Sequence, residues 1–411
     1  MKRVHYGWVI TGCAFLALMV SSGLTFGGIT VFDESLLREF GWTRSALKFR
    51  DLLTMVLAGA LSPFAGAIAD RFGVKWLMAF GGALLAFALL AYGRIGAVGQ
   101  MYAIHVAFAV TLATSGIVMG VILVSRWFVT SRGTATGLAL VGTSAGGALF
   151  PQVGAWLIPL IGWRAGLMVL AVFPAVLVAV VVAFVRDRPS DMGLAPLGAD
   201  TAPAGETSAP PKAAGMEFRD AVRTPAFWLI AAAGMFTYYA ILGTSGHVFL
   251  HLRGQGVPMA EAARGLSWLF VMGVLGKLLF GYIADRFDHK RVLLVNIAVM
   301  LGGSIALSTM RVEGFWPFVV LFGLGWGGIY TLLQVLTIDA FGLRAAGRVL
   351  GTRTVIDALG GGLGPWVTGL LFDRTGNYHL SFLVITGCVA LTFVAAAALR
   401  IQVPAPAHEV A

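Results

Sequence analysis

The chain is a succession of long apolar runs separated by short polar gaps. Each run has about 20 or more residues, which is the length a helix needs to cross the hydrocarbon core of a bilayer. The runs do not alternate apolar and polar residues as the strands of a membrane barrel do. The pattern therefore predicts twelve transmembrane helices, at about 8–32, 46–69, 74–93, 100–124, 134–158, 163–184, 225–250, 263–284, 291–310, 315–339, 349–372 and 379–400.

The composition agrees with an all-α membrane protein. Of the 411 residues, 58% are hydrophobic and only 12% are charged, whereas about 25% of the residues of a soluble domain are charged. The net charge of +10 does not indicate a nucleic-acid partner, because the basic residues lie in the short gaps and form no patch on a soluble surface.

The basic residues also predict an orientation. If both termini face the cytoplasm, 17 Lys and Arg residues lie in cytoplasmic gaps and ten lie outside, which is the bias of membrane proteins. We expect a multi-pass protein of the cell inner (plasma) membrane with both termini in the cytoplasm. The gap at 186–222 is long and rich in Pro, Ala and Gly. It predicts a flexible cytoplasmic linker between a six-helix bundle at 1–185 and another at 223–411.

An internal repeat relates the two predicted bundles. The phrase "GAIADRFGVK" begins at Gly66, and "GYIADRFDHKR" begins 215 residues later at Gly281. A second pair, "GLALVGTSAGGALFP" from Gly137 and "GTRTVIDALGGGLGP" from Gly351, is 214 residues apart. Two six-helix halves related by a parallel repeat are a transporter architecture.

The first pair of phrases resembles the signature loops of the major facilitator superfamily. The resemblance implies the fold of that family, two pseudo-symmetric six-helix bundles. It also implies that Asp70, Arg71, Asp285 and Arg286 brace the cytoplasmic helix ends in one state of alternating access.

Three longer stretches resemble monocarboxylate transporters and bacterial oxalate–formate carriers. They are "HYGWVITGCAFLALMVSSGLTFGGITVFDESLLREFGWTRS", "RWFVTSRGTATGLALVGTSAGG" and "LGPWVTGLLFDRTGNY". The resemblance implies a secondary active transporter of small organic anions. Lys277 falls where monocarboxylate carriers place a substrate-binding Arg, but their acidic neighbour is Gly273 here, and their helix-1 Lys would fall near Gly27. A monoanion is therefore favoured over a dianion.

Charged residues inside membrane spans are costly and are candidates for function. Lys277 and Asp357 both lie about 12–13 Å from the cytoplasmic end of their helices, counted at about 1.5 Å per residue. Arg353 is one turn from Asp357 and shares its face. We expect Lys277 to bind the substrate carboxylate, Asp357 to pair with Lys277 and carry a proton, and Arg353 to hold Asp357 or close the gate. A static Lys–Asp bridge without a substrate role is the alternative.

Polar residues on other spans are candidates for the walls of a binding site. Each of them could equally form a helix–helix hydrogen bond or lie at the membrane interface. They are Tyr330, Gln334, Tyr239, His247 and Thr25.

Several function classes are disfavoured. The two cysteines, Cys13 and Cys388, have no disulfide or metal-ligand spacing, and no phosphate-binding loop or nucleophile–base pair stands out. We therefore expect no metal, no cofactor and no enzymatic activity, and a carrier driven by a proton or exchange gradient that functions as a monomer. A carboxylate exchanger, a drug or sugar carrier, and a membrane receptor with a transporter fold are the alternatives.

Overall fold

The computed structural model describes residues 5–199, 215–309, 315–342 and 345–400. Within these ranges the chain is helical, and the only β pairing is two isolated bridges. The helices are α1 Gly7–Ser22, α2 Asp33–Phe40, α3 Arg44–Phe72, α4 Val74–Tyr92, α5 Val98–Ser115, α6 Ile117–Trp127, α7 Arg132–Leu170, α8 Val172–Phe184, α9 Phe218–Ala221, α10 Pro225–Gly254, α11 Met259–Ala284, α12 His289–Ser308, α13 Phe315–Phe341, α14 Ala346–Thr375 and α15 His379–Ala398.

The described helices confirm the all-α membrane class. Ten helical stretches are long and apolar enough to cross a bilayer, or eleven if the two bent parts of α3 form one span. The stretch Arg132–Phe184 has 53 residues and measures roughly 80 Å as a helix, more than twice the hydrocarbon thickness of about 30 Å. It is broken at Gly162, where φ is 79°. It is therefore long enough for both spans predicted there, and twelve crossings fit the structure.

The sequence repeat is also seen in the positions at which helices begin. α3 begins at Arg44 and α11 at Met259, which is the 215-residue offset of the first pair of phrases. α7 begins at Arg132 and α14 at Ala346, which is the 214-residue offset of the second pair. The two halves of the sequence therefore place equivalent helices at equivalent positions.

The first predicted span is not one regular helix. α1 ends at Ser22 and is followed by a π-helical turn at Gly23–Gly27 and a 3-10 turn at Gly28–Phe32, after which α2 begins. The backbone of Gly23 approaches Gly146 of α7 so closely that a Cβ on Gly23 would collide with it. The two helices are therefore in backbone contact at the point where the first span changes from α- to π-helix. Such departures from α-helix are frequent at functional sites.

The segment predicted as a flexible linker is fixed at both of its described ends. The backbone N–H of Leu197 donates to Trp127 O at 2.9 Å, and the N–H of Met216 donates to Phe341 O at 2.9 Å. The flexible cytoplasmic linker at 186–222 stays a prediction. Residues 200–214 of that prediction lie outside the described residues.

The described helices group into two compact units. The first unit contains α1 to α8 together with Ser245–Val271, which are the end of α10 and the start of α11. The second unit contains α10 up to Thr244 and the chain from Met272 onward. The division into bundles at 1–185 and 223–411 follows the sequence repeat and stays a prediction.

Candidate functional site

An ion pair is buried within α14. Arg353 Nε lies 3.1 Å from Asp357 Oδ2, and each side chain is only 2% exposed. The two residues are one helical turn apart, so the helix itself aligns them on one face. The structure thus brings together two of the three charges that the sequence placed inside the membrane spans.

Aromatic and polar groups of the second unit surround this pair. The guanidinium carbon of Arg353 lies 5.2 Å from the centre of the Tyr330 ring, and the Tyr238 ring centre lies 5.4 Å from that of Tyr330. At Gly234, a Cβ would collide with the carboxylate of Asp357. The pair therefore lies against α13 and α10, and a glycine provides the room for it.

The pair leaves polar atoms unsatisfied. Among the described residues, Arg353 Nη2 and Asp357 Oδ1 are buried without a hydrogen-bond partner, although Arg353 Nη1 lies 3.5 Å from Thr337 Oγ1. A buried polar atom without a partner costs about 1–3 kcal/mol. A guanidinium with a spare donor can bind an additional oxygen atom, and a carboxylate supplies one with a charge.

Lys277 lies on α11, seven residues before that helix ends at Ala284, or about 10 Å along the axis. Its side chain is half-buried. Gly276 and Gly327 bring α11 and α13 into backbone contact beside it, because a Cβ on Gly276 would collide with Leu324 and one on Gly327 with Gly273. The predicted contact between Lys277 and Asp357 stays a prediction.

Three of the predicted wall residues lie in the second unit with this pair. Tyr330 contacts Arg353, as described above, and Gln334 is half-buried one turn later on α13. Tyr239 is buried on α10. Gly364 of α14 packs against it so closely that a Cβ added at Gly364 would collide with Tyr239 O. Of the five predicted wall residues, Tyr330 and Tyr239 therefore have described contacts with α14.

The other two predicted wall residues lie in the first unit. Thr25 is buried in the π turn, and its hydroxyl donates to Ser21 O at 2.7 Å, which is a local hydrogen bond within the helix. His247 is fully buried near the end of α10. A role for either side chain in substrate binding stays a prediction.

The first copy of the repeated phrase lies where α3 ends. Arg126 Nη2 of α6 lies 3.0 Å from Asp70 Oδ1, and the guanidinium of Arg71 lies 5.2 Å from the Phe72 ring centre. Gly73 has a φ of 88°, and a Cβ there would collide with Asp187, which accepts a hydrogen bond from Lys75 N at 3.0 Å. The phrase thus connects the ends of α3 and α6 with the segment after α8.

The second copy follows α11 and makes a more local contact. Arg286 stacks on Tyr282, with 3.5 Å between the guanidinium carbon and the ring centre, and donates to Tyr282 O at 2.9 Å. Asp285 precedes it and is exposed. The gating roles of Asp285 and Arg286, like those of Asp70 and Arg71, stay predictions.

The sequence interpretation missed a cluster of buried charges in the first unit. Lys48 and Arg50 of α3 are fully buried, and both bind Asp33, the fully buried first residue of α2. Lys48 Nζ lies 2.6 Å from Asp33 Oδ2, and Arg50 Nη2 contacts Asp33 Oδ1. Asp51, which is 13% exposed, lies 3.5 Å from each cation. Two cations and two carboxylates therefore balance within the cluster.

A chain of hydrogen bonds extends this cluster. Arg50 Nη1 donates to the Tyr92 hydroxyl at 2.9 Å, and that hydroxyl lies 3.4 Å from His105 Nε2. The other ring nitrogen of His105 lies 2.8 Å from Thr54 Oγ1, which in turn donates to Arg50 O at 2.9 Å. The sequence signal was present, since Lys48 and Arg50 fall inside the apolar run at 46–69.

Comparisons with known proteins agree with the fold and the repeat. A family model described as "Major Facilitator Superfamily" matches residues 13–365. Human "Monocarboxylate transporter 6" is 26% identical over 92% of this chain and 77% of its own length. The "Oxalate:formate antiporter" of Oxalobacter formigenes is 22% identical over 90% of this chain and 89% of its own.

A solved structure shows the same fold. It is a bacterial homolog of the human lysosomal transporter Spinster, in an inward-facing and unoccupied conformation, with a TM-score of 0.75 at 16% identity. The likeness covers 97% of this chain and 98% of that one. With a family match across most of its length, the chain belongs to the Major Facilitator Superfamily and is a membrane transporter, not an enzyme.

Proposed function

We propose that this transporter moves small monocarboxylates across the cell inner membrane by alternating access, coupled to a proton. The observation that carries the proposal is the buried Arg353, which has a donor without a partner next to Asp357. In this proposal the carrier works as a monomer with both termini in the cytoplasm. The likeness to proteins named monocarboxylate transporters supports the substrate class.

The charges of the site favour an anion. Lys277 and Arg353 are two cations in the spans of the second unit, and Asp357 is one carboxylate. Charged groups inside membrane spans are candidates for substrate binding, and a monocarboxylate would add one negative charge to this set. Its oxygen would accept from Arg353 Nη2, while the Lys277 ammonium would attract it as a point charge without fixing its orientation.

In this proposal the Arg353–Asp357 pair also couples the substrate to the proton. Asp357 Oδ2 accepts a hydrogen bond from Arg353 Nε. A protonated Asp357 would accept this hydrogen bond less strongly. Protonation would therefore free the guanidinium for the carboxylate of the substrate, so that proton and anion bind together. The proton would leave when Asp357 pairs with Arg353 again after release of the substrate.

Exchange of two carboxylates is the second candidate. Asp357 already serves as an internal carboxylate for Arg353, and a substrate could displace it without any proton. The oxalate:formate antiporter among the relatives favours this alternative. An exchanger requires an anion on the far side of the membrane, whereas a proton symporter requires an acid gradient.

Uptake into proteoliposomes tests both proposals. Purified protein is reconstituted, and entry of radiolabelled lactate is measured with an inward proton gradient, or with internal lactate and no gradient. We expect gradient-driven uptake that is lost in Lys277→Ala and retained in Arg264→Ala, which removes an exposed cation from the same helix. Unchanged uptake in Lys277→Ala would show that Lys277 is not the anion ligand. Uptake that needs internal lactate alone would favour exchange.

A further inference from the structure

The short helix α2, with the sequence DESLLREF, carries three acidic residues, each bound to a different set of side chains. Its first residue, Asp33, is fully buried against Lys48 and Arg50 of α3. Separating this carboxylate from two buried cations would leave buried charge uncompensated, which is strongly unfavourable. The start of α2 is therefore fixed to α3.

The other end of α2 is fixed to the helical segment after Gly162. Glu39 accepts hydrogen bonds from Trp163 Nε1 and from Arg164 Nη2, both at 2.6 Å. Arg164 also donates to Ile95 O at 2.9 Å. Both ends of α2 are thus held by residues of the N-terminal half of the sequence.

Glu34 binds a residue from the other half of the repeat. Its two carboxylate oxygens accept from Arg253 Nε at 2.6 Å and Arg253 Nη2 at 3.1 Å, so the pair is bidentate. Arg253 lies in the last turn of α10 and also donates to Val257 O at 2.6 Å. The side chains of Arg253 and Glu34 are 20% and 14% exposed, so water can replace the contact more easily than at Asp33.

A neutral contact accompanies this ion pair further along the helices. Gln152 Nε2 of α7 donates to Ser267 Oγ of α11 at 3.0 Å, and Ser267 Oγ donates to Ala148 O at 2.6 Å. Ser267 is eight residues into α11, about 12 Å from its start. α7 belongs to the first half of the repeat and α11 to the second. Two pairs of helices therefore connect the halves on the side that the charge bias predicts to face away from the cytoplasm.

The helical segment before α2 is irregular. The π turn at Gly23–Gly27 and the 3-10 turn at Gly28–Phe32 interrupt the helix directly before Asp33. Short stretches of these helix types often mark hinges. α2 thus follows a change of helix type. Its Asp33 and Glu39 bind residues of the N-terminal half of the sequence, and its Glu34 binds Arg253 of the other half.

We propose that α2 is a strap that closes the outer side of the carrier. Asp33 and Glu39 hold it on the N-terminal helices in every state, and the Glu34–Arg253 pair fastens it to α10 in the closed state only. This rests on alternating access in the proposed function but not on the identity of the substrate. In the open state, Arg253 and Glu34 separate and the Gln152–Ser267 hydrogen bond breaks with them.

Thiol labelling in the absence of substrate tests the strap. The reporter is Gln152→Cys in full-length protein whose native cysteines carry Cys13→Ala and Cys388→Ala. Right-side-out membrane vesicles are treated with a membrane-impermeant maleimide, and the labelling rate is measured. Glu34→Gln removes the ion pair with Arg253, together with the local pair with Arg38, while keeping the side-chain shape. We expect it to raise the rate about threefold to tenfold, since a partly exposed ion pair stabilises modestly.

Glu39→Gln is the matched control. It removes a carboxylate from the same helix but breaks a contact that stays within the N-terminal helices, so the labelling rate should stay within about twofold of the parent. Arg253→Gln should raise the rate as Glu34→Gln does, and it provides a second variant if Glu34→Gln fails to fold. An unchanged rate in both Glu34→Gln and Arg253→Gln, or an equal rise in Glu39→Gln, would overturn the proposal. Because no substrate is present, an error in the proposed substrate class cannot produce either result.

Discussion

Replacement of Asp33 by Asn is the most severe single change that the structure suggests for the first unit. Asn keeps the shape of the side chain but removes the charge that faces Lys48 and Arg50. All three side chains are fully buried, and breaking a buried ion pair by removing one partner costs about 3–5 kcal/mol. Asp51 is 3.5 Å from each cation and remains, so the lower part of that range is expected.

The comparison with Glu39 gives the expected difference. Arg164 and Glu39 are 38% and 41% exposed, and an exposed ion pair contributes only about 0–1 kcal/mol. We therefore expect Asp33→Asn to lower the free energy of unfolding by about 3 kcal/mol and Glu39→Gln by less than about 1 kcal/mol. The assay is equilibrium unfolding in mixed micelles with increasing SDS, followed by circular dichroism.

A second substitution separates charge from packing. Lys48→Met in the Asp33→Asn background removes one of the two cations that then share Asp51 as their carboxylate, and we expect it to restore part of the loss, about 1–2 kcal/mol. The parent, Asp33→Asn, Lys48→Met and the double variant form a double-mutant cycle that isolates the coupling of Asp33 and Lys48. If Asp33→Asn cost no more than Glu39→Gln, or if Lys48→Met added to the loss, the buried cluster would not be held by the charges described.

Two further predictions concern the second unit. Gly276→Ala should destabilise the protein by about 1–3 kcal/mol in the same unfolding assay, because a Cβ would collide with the Leu324 backbone, whereas Gly281→Ala on the same helix meets nothing within 4 Å and should have little effect. Asp357→Asn should abolish acid-stimulated uptake of lactate into proteoliposomes while leaving its exchange measurable. Acid stimulation equal to that of the parent would place proton coupling elsewhere, with His247 as the next candidate.

The sequence predicts the helices well because few backbone structures can satisfy their hydrogen bonds in lipid. A chain with apolar runs of this length must satisfy its backbone within each run, so the twelve runs and their repeat follow from hydropathy and spacing. The Arg353–Asp357 pair is predictable for a similar reason, because residues four apart on one helix are neighbours. The contact needs no knowledge of other helices.

Tertiary contacts account for what the sequence did not predict. The break after Ser22 depends on the approach of Gly23 to Gly146, which is far away in the sequence. Lys48 and Arg50 lie within two turns of a helix end, where a basic side chain can reach the membrane surface or turn inward. Their partner Asp33 lies beyond an intervening loop, so the pattern along α3 alone does not decide between the two.

The proposed function depends on a site that binds a small monocarboxylate. The most direct measurement is the thermal stability of the purified protein with lactate, pyruvate, oxalate, a sugar and an organic cation, each at acid and neutral pH. A ligand at a hundred times its Kd stabilises the folded carrier by about 2.7 kcal/mol. We expect stabilisation by lactate and pyruvate that is greater at acid pH and absent in Lys277→Ala. Stabilisation by the sugar or the cation, and by none of the carboxylates, would contradict it.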